Sequence, residues 1–237
     1  YPLDTSPPVN PGYDPATETD TETNNGTVTE YFVGTTGEAR VDRVQQDLEN
    51  PKTTAKLTGG KDANNNPVDI TAIGDGSNGI LNSKTGRKIT KVTVSSSKTV
   101  TIKRSAFYGS KAKKIQMKNR KTTIKKNAFK GTKQKKVTIE LKSAKKASDV
   151  QVYKNSFKGL SSDSTIILSK DMSKKQVEKL TKKLRDAGFT GKIKQSNLTK
   201  SPGGEKYYGF SLFCALFEPF RAVPANLANK DSDMVIA

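Results

Sequence analysis

The sequence predicts a short stacked-coil solenoid, predominantly β and closed by a C-terminal helix. Three observations lead there. One phrase occurs three times: IKRSAFYG at 102–109, IKKNAFKG at 124–131 and VYKNSFKG at 152–159. A second apolar pattern recurs upstream of each phrase, and an amphipathic stretch follows the last of them. Aligned on Phe107, Phe129 and Phe157, the phrases are spaced 22 and 28 residues apart. A period in the twenties marks stacked units, because one unit cannot bury its own apolar face and its neighbours complete it.

Charge is distributed unevenly before any of this begins. The formal net charge of the 237 residues is +19, yet residues 1–50 carry ten acids against two bases, and the remainder of the chain stands at +27. Hydrophobic content is 32% with a mean hydropathy of −0.69, lean for a compact globule and ordinary for a thin solenoid. Cys214 is the one cysteine, which excludes a disulfide framework or a cysteine metal site. No apolar run approaches the roughly 20 residues that span a bilayer. The chain opens at Tyr1 without a basic-then-apolar leader, implying that any secretion signal has been removed or was never there.

Residues 1–30, rich in Pro, Thr, Asp and Glu, have almost nothing to bury and are expected to form a disordered acidic tether. Residues 31–83 are expected to form a β-rich N-terminal cap with a degenerate first repeat. Tyr31–Val33 and Ala39–Val44 have strand character, and VQQDL at 44–48 could make one helical turn. The turn cluster GGKDANNNPVD at 59–69 suggests a hairpin joining 55–57 to 68–73.

The repeats proper are expected over 84–169. Upstream of each Phe stand Ile89-x-x-Val92-x-Val94, Ala112-x-x-Ile115-x-Met117 and Gln134-x-x-Val137-x-Ile139. These approximate the L-x-x-L-x-L strand of leucine-rich repeats, with β-branched residues replacing leucines. Strand alternation sends Val92/Val94, Ile115/Met117 and Val137/Ile139 inward, leaving Lys91/Thr93, Lys114/Gln116 and Lys136/Thr138 outward. An insertion, KSAKKASD at 142–149, accounts for the longer second spacing as a loop on one side. The convex connections are expected to be irregular.

Residues 170–200 supply the C-terminal cap. Ser173 and Gln176 form a capping box, Val177, Leu180 and Leu184 share a helix face, and Gly188 ends it. Phe189 and Ile193 are expected to pack beneath this helix. The tail at 201–237 departs from the repeat composition, and its apolar run at 209–217 is too short to span a membrane.

The I-x-x-x-A-F-x-G phrases at 102–109 and 124–131, the V-x-x-x-S-F-x-G variant at 152–159, the strands at 89–94, 112–117 and 134–139, and the closing strand and helix at 165–188 resemble the BspA-type leucine-rich repeats of bacterial surface proteins. VDITAIGDGSNGI at 68–80 stands where that family often carries a degenerate repeat. The resemblance covers about residues 55–194. It implies a right-handed leucine-rich repeat solenoid and a secreted or cell-surface setting, with adhesion to host matrix proteins or other cells among the family's roles. It supplies no catalytic residue.

The signals for chemistry are weak. Residues 74–79 read G-x-G-x-x-G, but a turn-rich basic stretch follows in place of a helix, and no acid stands between Gly79 and Lys133 to receive a ribose. Asp62-x-Asn64-x-Asn66 imitates the start of a calcium loop, yet Pro67 and Ile73 occupy the positions that need Gly and Glu. Histidine is absent, which removes the commonest general base and most zinc sites. Between 84 and 200 the six acids (Glu140, Asp149, Asp163, Asp171, Glu178 and Asp186) share no spacing that would pair them for glycoside hydrolysis. The chain is therefore expected to be no enzyme and to need no cofactor or metal.

The basic residues carry the functional expectation. Stacking places equivalent positions about 4.8 Å apart. Arg104, Lys126 and Lys154 are then expected to form one ladder, and Lys91, Lys114 and Lys136 another, with Gln116 and Lys118 on the same surface. At that spacing, neighbouring cations repel by roughly 1 kcal/mol in water. Such a ladder favours a linear polyanion laid along it: a host matrix protein, a glycan or another acidic polymer. The alternatives are lysines that only solubilise a structural spacer, and, less favoured, a carbohydrate-active enzyme or a nucleic-acid binder. The bias of Lys over Arg argues for diffuse contacts. Of the aromatics, Tyr108 and Tyr153 are the ones expected to be exposed for base stacking.

Overall fold

The computed structural model describes residues 18–24, 26–34 and 37–196. The tail with Cys214 and the first part of the tether lie outside these. The strands are β1 (Glu18–Asn24), β2 (Thr27–Val33), β3 (Glu38–Gln46), β4 (Thr54–Leu57), β5 (Gly60–Lys61), β6 (Pro67–Ile73), β7 (Lys91–Val94), β8 (Val100–Ile102), β9 (Lys114–Met117), β10 (Thr122–Ile124), β11 (Thr138–Leu141), β12 (Val150–Val152), β13 (Thr165–Leu168) and β14 (Lys192–Gln195), with helix α1 (Lys174–Asp186) between the last two. They build two sheets. The first runs β1-β2-β3-β6-β8-β10-β12 with β5 paired to β6, and the second runs β14-β13-β11-β9-β7-β4.

From β6 to β13 the chain alternates between the sheets, and each strand pairs in parallel with its counterpart one repeat away. The connections expected to be irregular therefore contain a second parallel sheet. Its strands are three-residue segments, VTI, TTI and VQV, rich in β-branched types that suit a pleated surface but too short to show a period. Ile73, Ile102, Ile124 and Val152 align across it.

The repeated phrase begins at the end of each such strand and turns the chain back. Ser105, Asn127 and Asn155 hold positive φ of 57°, 61° and 63°. Asn tolerates this left-handed region better than other side-chain-bearing residues, which explains the Asn in two of the three phrases. Two residues later each Phe enters the core. Phe107 and Phe129 stack at 5.2 Å between centroids, Phe129 and Phe157 at 6.1 Å, and Phe189 meets Phe157 edge-on at 5.1 Å. Each buried ring contributes about 1.5–3 kcal/mol from area alone. Ring pairing adds about 0.5–1.5 kcal/mol per contact. Gly159 closes the third phrase at φ 110°, where a Cβ would run into the Phe129 carbonyl. In the degenerate first repeat Ile80 takes the Phe position: its N–H donates to Ala106 as that of Phe107 donates to Ala128.

Several expectations are corrected N-terminal to the repeats. Residues 18–24 and 27–30, expected in the tether, form β1 and the start of β2. Thr-rich alternation lets β1 pair with β2 along its whole length while the inward residues of β2 are buried. Tyr31 is buried there, with its hydroxyl donating to Glu22 at 3.3 Å; burial pushes both groups' pKa values up. VQQ at 44–46 continues β3 and makes no helical turn. The hairpin at 59–69 exists, but it joins β5 to β6; β4 pairs with β7 in the other sheet. The Asp62 carboxylate closes its turn, accepting from the backbone N–H groups of Asn64 and Asn66.

At the C-terminal end, α1 stands beside β12. Leu180 and Leu184 are buried, and Lys183 Nζ donates to the Ala147 and Val150 carbonyls. The expected capping box does not form: Gln176 accepts from the Ala147 N–H at 2.7 Å, tying the helix to the inserted loop. Ile193 lies on β14, a further parallel strand on β13, with its side chain half-buried against the core.

Candidate functional site

The two sheets present their cations differently. On the second sheet, Lys91 aligns with Lys114 as expected, but Lys114 aligns next with Thr138. Lys136 lies before β11, exposed and off the row. Lys133, Gln134, Lys135 and Lys136 absorb a two-residue slip that places Ile139 and Leu141 where Val137 and Ile139 were expected. All three side chains are buried. The slip brings Glu140 into register with Gln116.

Glu140 is 2% exposed, accepts from Lys114 Nζ at 2.7 Å and lies 3.3 Å from Lys142 Nζ. Burial would raise its pKa. The two lysines outweigh that and hold the carboxyl below its ordinary value. The second-sheet row is thus a mosaic: Lys91, a Lys114 paired with Glu140, then Thr138 and Thr165, and Lys192 on β14. Exposed Lys118 follows Met117, outside the strand, in a turn whose backbone is held by its N–H bond to Val94.

The first sheet carries the other set. The backbone ladder runs one residue past the strands: Lys103 N–H donates to Ile73, Lys125 to Ile102 and Tyr153 to Ile124. These three residues form an outward row in phase with Thr101, Thr123 and Gln151. Arg104, Lys126 and Lys154, the expected ladder, are exposed at the next position of each repeat. Between Arg104 and Tyr153 lies a shallow open trough of about 620 Å³. Its walls include Lys103, Arg104, Lys125 and Lys126, and among the described residues none of the four has a carboxylate within ion-pair distance. Lys125 Nζ sits 4.4 Å above the Tyr153 ring and donates to its hydroxyl at 3.2 Å. Burial, reinforced by nearby Arg40 and opposed by Asp42 and Asp75, lowers the pKa of Lys103.

A second depression adjoins the first across Thr101 and Lys103 and reaches Arg40. Arg40 is already engaged, forked onto Asp42 and lying 4.3 Å over the Phe32 ring. Lys103, Lys125 and the Lys125–Tyr153 contact were missed at the sequence level, although Lys103 and Lys125 fill the same place in two phrases. They become outward positions only once 100–102 and 122–124 are recognised as strands.

The inserted loop at 142–149 is tied down by its own contacts and by α1. The buried Asp149 carboxylate accepts from the N–H groups of Lys145 and Lys146 and meets Arg120 at 3.5 Å; these contacts overcome burial and lower its pKa. The Gly-rich segment at 74–79 is a bend in the degenerate repeat, with Asp75 accepting from the N–H groups of Ser77 and Asn78. Among the described residues no cluster of three or more Asp, Glu or Cys side chains is placed to hold a metal, and no helix is long and apolar enough to cross a membrane.

Residues 83–195 match the BspA type Leucine rich repeat region in six copies. No curated protein and no solved structure matches the chain.

Proposed function

We propose that this BspA-type leucine-rich repeat region, a protein-binding class of repeat, is a right-handed solenoid that works as a non-catalytic binding module on the outside of a bacterial cell, as a secreted or surface protein. It holds an acidic partner, a host matrix protein, mucin or other polyanion, and so contributes to adhesion. The observation that carries this reading is the trough on the first sheet, where four cations stand together without carboxylate partners. Such an array is solvated at a cost of about 1 kcal/mol per neighbouring pair, and a polyanion relieves that repulsion while releasing counterions.

A second reading, a structural spacer, is favoured by the second sheet, where the row expected to be the ladder breaks off at Thr138 and Glu140 pairs with its Lys114. Retention on immobilised heparin and mucin in about 0.15 M salt tests the choice. The binding reading expects retention that weakens steeply with added salt. Free passage through both columns leaves the spacer.

A further inference from the structure

We propose that the trough between Arg104 and Tyr153 is a subsite for an acidic sugar residue, a uronate or sulfated pyranose within a glycan chain. This deepens the binding reading above and rests on it.

The location follows from where several cations without an ion-pair partner line one concavity. Arg40, Lys114, Lys142 and Arg120 each have a carboxylate partner, whereas Lys103, Arg104, Lys125 and Lys126 have none among the described residues. Lys125 is nevertheless held in place, because its partner is a neutral ring and hydroxyl. Tyr153 thus orients an ammonium without cancelling its charge, an arrangement that serves an incoming anion. Lys103 is half-buried next to Arg40, so an anion beside it would relieve both its burial and that repulsion.

The class of ligand follows from what surrounds the cations. The Thr101 hydroxyl, the Asn127 carboxamide and the Tyr153 hydroxyl line the same trough, and these groups suit a ligand that mixes hydroxyls with negative charge. Single-stranded nucleic acid needs open aromatic faces, and the one aromatic residue lining the trough has Lys125 over its ring. An acidic peptide binds best by adding to a sheet edge. Here β8 and β10 are interior strands with paired neighbours on both sides, and the edge strand β12 has α1 beside it, with Lys183 Nζ on its Val150 carbonyl. The trough is open and shallow, so it accepts one residue of a chain that continues past it in both directions, along the line of Arg104, Lys126 and Lys154.

Titration of the full chain with a sulfated oligosaccharide, a uronate oligosaccharide, polyglutamate and single-stranded DNA, followed by calorimetry, tests the site and the class. With the sugars, Lys125→Ser combined with Lys126→Ser is expected to weaken binding roughly tenfold or more, and Tyr153→Phe, which keeps the ring but loses the hydroxyl that holds Lys125, about threefold. Lys91→Ser combined with Lys114→Ser serves as the control on the other sheet and is expected to leave sugar affinity unchanged. Circular dichroism and thermal melting confirm that each variant folds.

Sugar binding that is indifferent to the trough substitutions overturns the subsite and leaves the polyanion reading standing. Equal binding of polyglutamate or DNA, with the same dependence on Lys125, Lys126 and Tyr153, overturns the assignment to sugars alone. No binding of any of the four probes overturns both.

Discussion

The cations beside the two sheets of the repeat region arrive at different electrostatic states. On the second sheet a single carboxylate, Glu140, is buried between Lys114 and Lys142 and breaks the row. On the first, Lys103, Arg104, Lys125 and Lys126 share a trough without one. The difference teaches that a count of basic residues does not locate a binding surface. Register does, because it decides which cation receives a partner and which stays available.

The comparison can be broken or sharpened by substitution. The largest effect is expected from Phe129→Ala, which cuts the ring stack that both sheets enclose. A loss of about 3–5 kcal/mol is expected in urea unfolding, with both sheets unfolding in one transition. If probes on the two sheets report separate transitions, the sheets do not share a single cooperative core.

Glu140→Gln removes the feature that makes the faces unlike. Because both lysines are partly exposed and screened, a loss of about 1–2 kcal/mol is expected at neutral pH, accompanied by stronger polyanion retention on the second sheet. The pH dependence has a defined sign. The folded pKa of Glu140 lies below the unfolded value, so its stabilisation is complete above that unfolded value, about 4.3, and is lost as pH falls through the folded one. Acid unfolding of the wild type should therefore gain on the variant, and the two stabilities should converge at low pH. A constant gap across the acid range would remove the ion pairs from the account.

Asn155→Ala acts on the first face alone. It forces a plain side chain into the left-handed backbone at φ 63° and is expected to cost about 1 kcal/mol, while Asn155→Gly should be tolerated. Equal melting temperatures for the two variants would show that Asn is not selected for backbone geometry. The smallest effect is expected from Lys91→Ser, which should change heparin retention by less than about threefold, because Lys91 lies on the second sheet away from the trough.

Much of the architecture was legible in particular residues. Phe107, Phe129 and Phe157 announced the stack by recurrence alone, and Leu180 and Leu184 announced the helix by their spacing. The first sheet was not legible, because three-residue strands such as Val100–Ile102 are too short to repeat the two-residue alternation that would reveal them. The capping box was misread at Gln176, whose side chain has a better acceptor role against the Ala147 N–H, a partner 29 residues away. The strand at 18–24 looked too polar to order; its pairing with β2 supplies the reason it does.

The candidate site shows the same division more sharply. Arg104, Lys126 and Lys154 were found because they recur at a fixed offset from Phe. Lys136 was misplaced for a physical reason: strand alternation has a period of two, so Val137/Ile139 and Ile139/Leu141 are equally good inward pairs, and apolar pattern cannot detect a slip of two.

The sequence by itself determined that this chain repeats, that its repeats stack and that they carry cations, since each of these follows from local spacing. Only the tertiary structure decided which cations are free, because the pairing of Glu140 with Lys114 and of Lys125 with Tyr153 joins residues 26 and 28 positions apart. Those pairings depend on the packed register between neighbouring strands, and side-chain electrostatics change over a few ångströms while the hydrophobic pattern is blind to a two-residue shift.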